Sequence, residues 1–81
     1  RRVVTIMPVK EYGAEEIKAI RRNTGLSQKL FAGYMGVSDK TVEAWESGKN
    51  KPSGAASRLL NMMEMDSELT VAFPFVTVSN S

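Results

Sequence analysis

The stretch SDKTVEAWESGKNK, residues 38–51, holds many of the side chains with which this sequence could do chemistry. Its hydroxyl, carboxylate, amide and amine groups can donate or accept hydrogen bonds, and its three lysines can pair with anions. Positions 18–51 contain seven basic and three acidic residues, whereas the rest of the chain contains four basic and six acidic residues. A basic middle with acidic flanks indicates a polyanion partner for the middle. A face that is merely solvated is the other interpretation, and charge alone does not decide between them.

The composition argues against most kinds of catalytic site. The 81 residues include no Cys and no His, which excludes a disulfide framework, a thiolate zinc site, a Cys nucleophile and an imidazole base. The GKNK segment lacks the preceding glycine of a P-loop. We therefore expect no enzyme, no cofactor and no metal. The sequence has no secretory signal and no long apolar run, so we expect one small cytoplasmic domain with no membrane partner.

The stretch FAGYMGVSDKTV, residues 31–42, places two glycines among good helix formers. Gly36 follows the last apolar residue of a helix expected at 28–35 and precedes a new Ser N-cap, so Gly36 ends that helix and Gly33 lies inside it. A second helix is expected at 39–47. Two short helices joined by a tight glycine turn form a helix-turn-helix, whose second helix enters the DNA major groove. The residues left on the outside of that second helix are Asp39, Lys40, Thr41, Glu43 and Ala44.

Two further helices and two non-helical termini complete the prediction. The first helix starts after Gly13 and ends at Gly25, and the last starts at 53 or 54. Residues 13–66 are thus the expected helix-turn-helix DNA-binding domain. Residues 1–12 are an expected extended arm, because the stretch RRVVTIMPV is rich in β-branched and apolar residues after two Arg and contains a Pro. Residues 67–81 include LTVAFPFVTV, which predicts a strand-like or flexible tail.

The segment SQKLFAGYMGVSDKTVEAWESGKNKPS resembles the helix-turn-helix of the lambda-repressor-like (XRE-family) regulators. More narrowly, GAEEIKAIRRNTGLSQ followed by WESGKNKPSGAASRLL is similar to the small HigA-like antitoxins and repressors. The resemblance covers about residues 12–66. It implies an all-α, lambda-repressor-like bundle of four or five short helices with a central helix-turn-helix. It also implies a homodimer bound to a palindromic operator of double-stranded DNA.

The resemblance assigns roles to individual residues by position. Those expected to meet bases are Gln28, Asp39, Lys40, Thr41 and Ala44, with a phosphate contact as the other role for Gln28. Glu43 is added to them from its own position, one turn on and on the same side of the second helix. Those expected to hold the DNA backbone are Ser38, Trp45, Lys49, Asn50 and Lys51. Arg21 and Glu46 match a pair that forms a buried salt bridge in relatives, and a phosphate contact is the alternative for Arg21.

Two positions depart from the pattern of relatives. Many of them have an acid where this chain has Leu30, so the reciprocal capping bond with Ser27 is impossible here. Asp39 places a carboxylate toward DNA, where it repels phosphate but can accept from a cytosine amino group.

Three functions compete. The first is a repressor that acts by occupying its operator. The second is an antitoxin whose arm or tail neutralises a toxin protein, with DNA binding as autoregulation. The third is a helix-turn-helix used only for protein interaction, which the basic middle disfavours. The outer face of the last helix and the apolar termini are the candidate dimer surfaces.

Overall fold

The computed structural model describes residues 2–77, and all the regular elements within this range are helices. Their bounds are α1 Ala14–Thr24, α2 Gln28–Met35, α3 Asp39–Ser47, α4 Gly54–Met65 and α5 Leu69–Ala72. The expected all-α class with a central helix-turn-helix is confirmed.

Each of the four long helices begins where the sequence supplies a cap. The hydroxyls of Ser27, Ser38 and Ser53 accept hydrogen bonds from the backbone N–H groups three residues on, at 3.2–3.3 Å. At α1, the Glu16 carboxylate accepts from the Gly13 N–H at 3.1 Å. These contacts satisfy donors that the first turn of a helix otherwise leaves unpaired.

The turn between α2 and α3 depends on Gly36. Its φ of 78° lies in the left-handed region, which side chains with a Cβ rarely adopt. The Val37 N–H then donates to the Ala32 carbonyl at 3.0 Å, which closes the end of α2. Gly33 has no positive φ and lies inside α2, as the sequence predicts.

The core lies where α1, α2, α3 and α4 meet. Its fully buried large side chains are Ile17, Phe31, Val42 and Leu60, one from each helix. Ala32 of α2 is 1% exposed and belongs to the same buried cluster. The apolar core therefore holds all four long helices together.

A polar network also joins the first three helices. Arg21 of α1 donates to both carboxylate oxygens of Glu46 of α3, through Nε at 2.7 Å and Nη2 at 3.1 Å. Its Nη1 donates to the Leu26 carbonyl at 3.1 Å. Gln28, the first residue of α2, donates from Nε2 to Glu46 Oε1 at 3.1 Å. One carboxylate thus connects three helices.

The network determines the charge state of Glu46, whose side chain is 3% exposed. Burial raises the pKa of this carboxyl. The hydrogen bonds from Arg21 and Gln28, together with the charges of Arg21 and Lys18, outweigh burial and leave the pKa of Glu46 below its ordinary value. The carboxylate is therefore ionised in the folded protein at neutral pH.

The strand-like character expected for residues 67–81 is wrong for Leu69–Ala72, which form α5. In the turn before this helix, Asp66 Oδ1 accepts from the Glu68 N–H at 2.9 Å, and no side chain caps the first turn of the helix itself. Leu69 is 6% exposed and joins the core, and this burial outweighs the β propensity of the local sequence. Residues 78–81 of the expected tail lie outside the described residues.

The N-terminal arm, as far as it is described, has no regular structure, and its base is attached to α4. Tyr12 is 3% exposed and donates to Glu64 Oε1 at 2.8 Å, while Lys10 pairs with the same carboxylate at 2.9 Å. Burial and the bond to Glu64 raise the pKa of Tyr12 to about 12, so its hydroxyl stays a donor. Arg58 Nη2 also donates to the Met7 carbonyl at 2.6 Å. Tyr12 therefore belongs to the core rather than to a free arm.

The two glycines of α2 should respond oppositely to the same substitution. Gly36→Ala should lower the free energy of unfolding by about 1–2 kcal/mol, because Ala must adopt a left-handed φ. Gly33→Ala should raise it by up to about 1 kcal/mol, because Ala favours the helix. The nearest atom to an added Cβ at Gly33 is Val76 Cγ2, at an ordinary 3.9 Å. Urea titrations measure both, and effects of equal sign would contradict this assignment.

Removing Arg21 should destabilise the fold, because it leaves the buried Glu46 carboxylate without its main partner. We expect Arg21→Ala to cost about 3–5 kcal/mol of unfolding free energy. Arg22→Ala, at the exposed neighbouring position, is the matched control and should change it little. Thermal melts of both variants measure the difference. An Arg21→Ala protein with normal stability and weakened DNA binding would instead make Arg21 a phosphate contact.

The lowered pKa of Glu46 also predicts a pH dependence. A carboxyl with a depressed folded-state pKa contributes stability above its unfolded pKa of about 4.3, and this is lost as pH falls through the folded value. Wild type should thus exceed Glu46→Gln in stability at pH 7, and the gap should narrow in strong acid. Melts of both proteins from pH 7 to pH 2 measure it. A gap that is constant with pH would contradict the pairing.

Candidate nucleic-acid interface

One face of α3 points outward and carries mostly polar side chains. Lys40, Glu43, Ala44 and Ser47 follow the i, i+3, i+4, i+7 spacing that places residues on one face of a helix. Together with Lys49 they line a shallow depression. The charged and hydroxyl members are exposed and Ala44 is half-buried. The face therefore presents one ammonium, one carboxylate and a hydroxyl to a partner, around a small apolar residue.

The N-terminal end of α3 is held by its own hydroxyls. Ser38 Oγ accepts from the Thr41 N–H at 3.2 Å and lies 2.8 Å from Thr41 Oγ1. The positive end of a helix dipole attracts anions, so a phosphate is favoured here. Asp39 is exposed in the same first turn, where it favours the helix and opposes a phosphate.

The loop after α3 brings its basic side chains to the same end of the molecule as Ser47. The backbone N–H groups of Lys49 and Asn50 both donate to the Ala44 carbonyl, at 2.9 and 3.3 Å. The loop backbone is therefore fixed, while the side chains of residues 49–51 are exposed. Lys51 Nζ lies 3.7 Å from Glu11 Oε1, and both groups are about four-fifths exposed, so this pair is weak.

The remaining site residues from the sequence analysis lie deeper. Gln28 is half-buried, and its amide nitrogen is already bound to Glu46. Trp45 is 4% exposed and packs in the core, so only an edge of its ring can reach a ligand. Arg21 and Glu46 lie together inside the bundle, as described above. The predicted site residues of α3 and the following loop are thus mostly exposed. Gln28, Trp45 and the ion pair are half-buried or buried.

Sequence reasoning missed two contacts of this region. It did not link Gln28 to Glu46, and it did not place Glu11 beside Lys51. Both join residues that are 18 or more positions apart, so no local spacing signals them.

Residues 2–77 contain neither a membrane-spanning helix nor a cluster of metal-ligating side chains. No helix there is long and apolar enough to cross a membrane. No three His, Cys, Asp or Glu side chains gather there in a way that could hold a metal ion.

Proteins similar to this chain include one named as an HTH-type transcriptional regulator and one named as an antitoxin. The HTH-type transcriptional regulator YiaG of Escherichia coli K12 is 38% identical over 55 residues, covering 68% of this chain and 57% of YiaG. Antitoxin HigA-2 of Vibrio cholerae serotype O1 is 35% identical over 54 residues, covering 67% of this chain and 52% of HigA-2. The chain spans just over half the length of these relatives.

The match to a family profile covers the same elements. The profile HTH_3, described as helix-turn-helix, matches residues 17–60. This range runs from within α1 to within α4 and includes the whole of α2, the Gly36 turn and α3. The chain therefore belongs to the helix-turn-helix family HTH_3, of the XRE type.

Proposed function

We propose that this chain is a sequence-specific DNA-binding transcriptional regulator that represses by occupying a palindromic operator as a homodimer. The observation that carries the proposal is the outward face of α3, with its lysine, carboxylate and small residue beside a fixed basic loop. A helix of this size fits the major groove of B-DNA, where base edges present a readable pattern of donors and acceptors.

The base-reading role falls to the first two turns of α3. Lys40 donates to O6 or N7 of a guanine, and the carboxylates of Asp39 and Glu43 can accept from cytosine amino groups. The hydroxyl of Thr41 is engaged with Ser38, which leaves its methyl group for a thymine methyl. The two carboxylates also repel misplaced phosphates, so they favour one docking position of the helix over others.

The phosphate-holding role falls to the groups around this helix. Lys49 and Lys51 are long, exposed cations next to the C-terminal end of α3. Ser38, Asn50 and the edge of Trp45 add hydrogen-bonding groups at the two ends of the same helix. Gln28 supports them from the start of α2, where Glu46 holds its amide in place. Such contacts fix the register of a protein on DNA without reading the sequence.

Two copies are needed for specificity. One recognition helix reads only a few base pairs, whereas a dimer reads two half-sites about 34 Å apart, one turn of the duplex. Symmetry of the protein then corresponds to a palindromic operator.

A second candidate function is that of an antitoxin that also regulates its own operon. The similarity to a protein named antitoxin HigA-2 favours it, and so does the N-terminal arm, whose Val3, Val4 and Ile6 are 76–82% exposed. Co-expression with the product of a neighbouring gene tests it: rescue of growth by this chain identifies that product as its toxin.

Lys40 and Lys49 should separate base reading from phosphate binding. Lys40→Ala should weaken binding to the cognate operator by about 1–3 kcal/mol and binding to random DNA much less. Lys49→Ala should weaken binding to both DNAs alike and reduce the salt slope by about 1. Genomic footprinting first supplies the operator, and each variant is then titrated on both DNAs at two salt concentrations. Equal losses on both DNAs for Lys40→Ala would make it a phosphate contact, and wild type without preference for any sequence would contradict the proposed function.

A further inference from the structure

The N-terminal arm joins the domain beside the basic loop that follows α3. Glu11, near the base of the arm, has its carboxylate 3.7 Å from Lys51 Nζ of that loop. Residues 2–11 are all exposed, so this part of the arm lies on the surface of the domain and not in its core. The arm therefore starts next to the cations that are proposed to hold phosphates.

Two contacts fix the course of the arm along α4. Tyr12 binds Glu64, near the end of α4, at 2.8 Å. The Met7 carbonyl accepts from Nη2 of Arg58, in the second turn of α4, at 2.6 Å. Followed backwards from Tyr12, the arm thus runs toward the start of α4, where the basic loop ends.

The residues before Met7 are long enough to pass the start of α4. Arg2 precedes Met7 by five positions, and an extended chain covers up to about 17 Å over that length. Arg58 is four residues from the start of α4, which is about 6 Å along a helix. The Arg2 guanidinium can therefore reach beyond the basic loop, toward duplex that flanks the part read by α3.

The charge of this segment suits a polyanion. Residues 1–9 contain Arg1 and Arg2 and no acidic residue. Arginine inserts readily into a narrow minor groove, where A·T-rich DNA concentrates negative potential. In other helical DNA-binding domains, a basic arm enters the minor groove next to the major groove that the recognition helix occupies.

We propose that the N-terminal arm is a second DNA-binding element, with Arg1 and Arg2 in the minor groove beside the half-site that α3 reads; this rests on the proposed function. The contact between Arg58 and the Met7 carbonyl leaves only the residues before Met7 to be ordered on DNA, which limits the entropy lost on binding. The arm then reads the width of a groove outside the base pairs that α3 touches. It adds specificity without competing with α3.

The apolar side chains of the arm favour a different occupant. Val3, Val4 and Ile6 are 76–82% exposed, and they suit a protein partner such as the toxin of the second candidate function. Such a partner requires neither the two arginines nor the position of the arm beside the basic loop, whereas DNA uses both. The two occupants need different side chains of one segment, so substitutions separate them.

Two double variants of the whole chain provide this separation. Arg1→Gln/Arg2→Gln removes both charges, whereas Val3→Gln/Val4→Gln removes apolar surface and keeps the charges. Thermal melts of both should match wild type, since Arg2, Val3 and Val4 are exposed. Each protein is titrated at two salt concentrations on three duplexes that carry the footprinted operator. One duplex has A·T-rich flanks, one has G·C-rich flanks, and one is trimmed to the base pairs within reach of α3.

Wild type should bind the A·T-flanked duplex at least about threefold more tightly than the G·C-flanked one, because its arginines favour a narrow groove. Arg1→Gln/Arg2→Gln should lose this preference, and its salt slope on the A·T-flanked duplex should fall by about 1 for each arginine that bound. On the trimmed duplex its affinity should stay within about twofold of wild type, because the arm has no DNA to contact there. Val3→Gln/Val4→Gln should behave as wild type on all three duplexes.

Several outcomes would overturn the proposal. One is an Arg1→Gln/Arg2→Gln protein that keeps the affinity and flank preference of wild type, and another is a flank preference that only Val3→Gln/Val4→Gln removes. Equal losses on both flanked duplexes would put the arginines on phosphates and contradict the minor-groove assignment. A wild type that favours A·T-rich random DNA through its arginines but prefers no operator sequence would contradict the proposed function and leave the role of the arm in place.

Discussion

A buried carboxylate must be paired, and the arrangement of the first three helices follows from this constraint. An ionised group in a protein interior costs several kcal/mol unless charges and donors surround it. Glu46 meets that requirement with two nitrogens of Arg21 and one of Gln28, and it can do so only if α1, the start of α2 and the end of α3 converge. The ion pair and its amide partner therefore specify the orientation in which α3 presents its outer face.

The molecule keeps its polar and apolar surfaces on different elements. The proposed DNA contacts lie mainly on α3 and the loop after it, whereas most of the exposed large apolar side chains lie on α4, on α5 and on the segments near both termini. This separation lets one small core support two kinds of contact, because neither surface depends on side chains that the other uses. The net charge of the chain is only +2, because the basic middle is offset by acidic residues on either side of it.

The sequence predicted the four long helices because their signals are local. Ser27 and Ser38 lie immediately before α2 and α3, and Gly36 lies immediately after α2. Each helix boundary is therefore marked by the residue type at that boundary. The fifth helix has no such signal. Leu69 becomes helical because it is buried against distant residues, in a segment whose composition favours a strand. The outer face of α3 could be predicted from helical spacing, but the engagement of Gln28 by Glu46 could not, since it depends on how two helices meet.

The contact between Lys51 and Glu11 has a consequence for how the two ends of the domain communicate. One ammonium cannot serve a carboxylate and a phosphate fully at the same time, so in the proposed complex a DNA phosphate competes with Glu11 for Lys51. By reciprocity, whatever holds Glu11 elsewhere leaves Lys51 available and favours DNA by the same free energy. Because the pair is exposed, this linkage is small and fades as salt rises. In the proposed complex, Glu11 thus competes with any polyanion for Lys51, and it weakens binding to all sequences alike without altering which sequence is preferred.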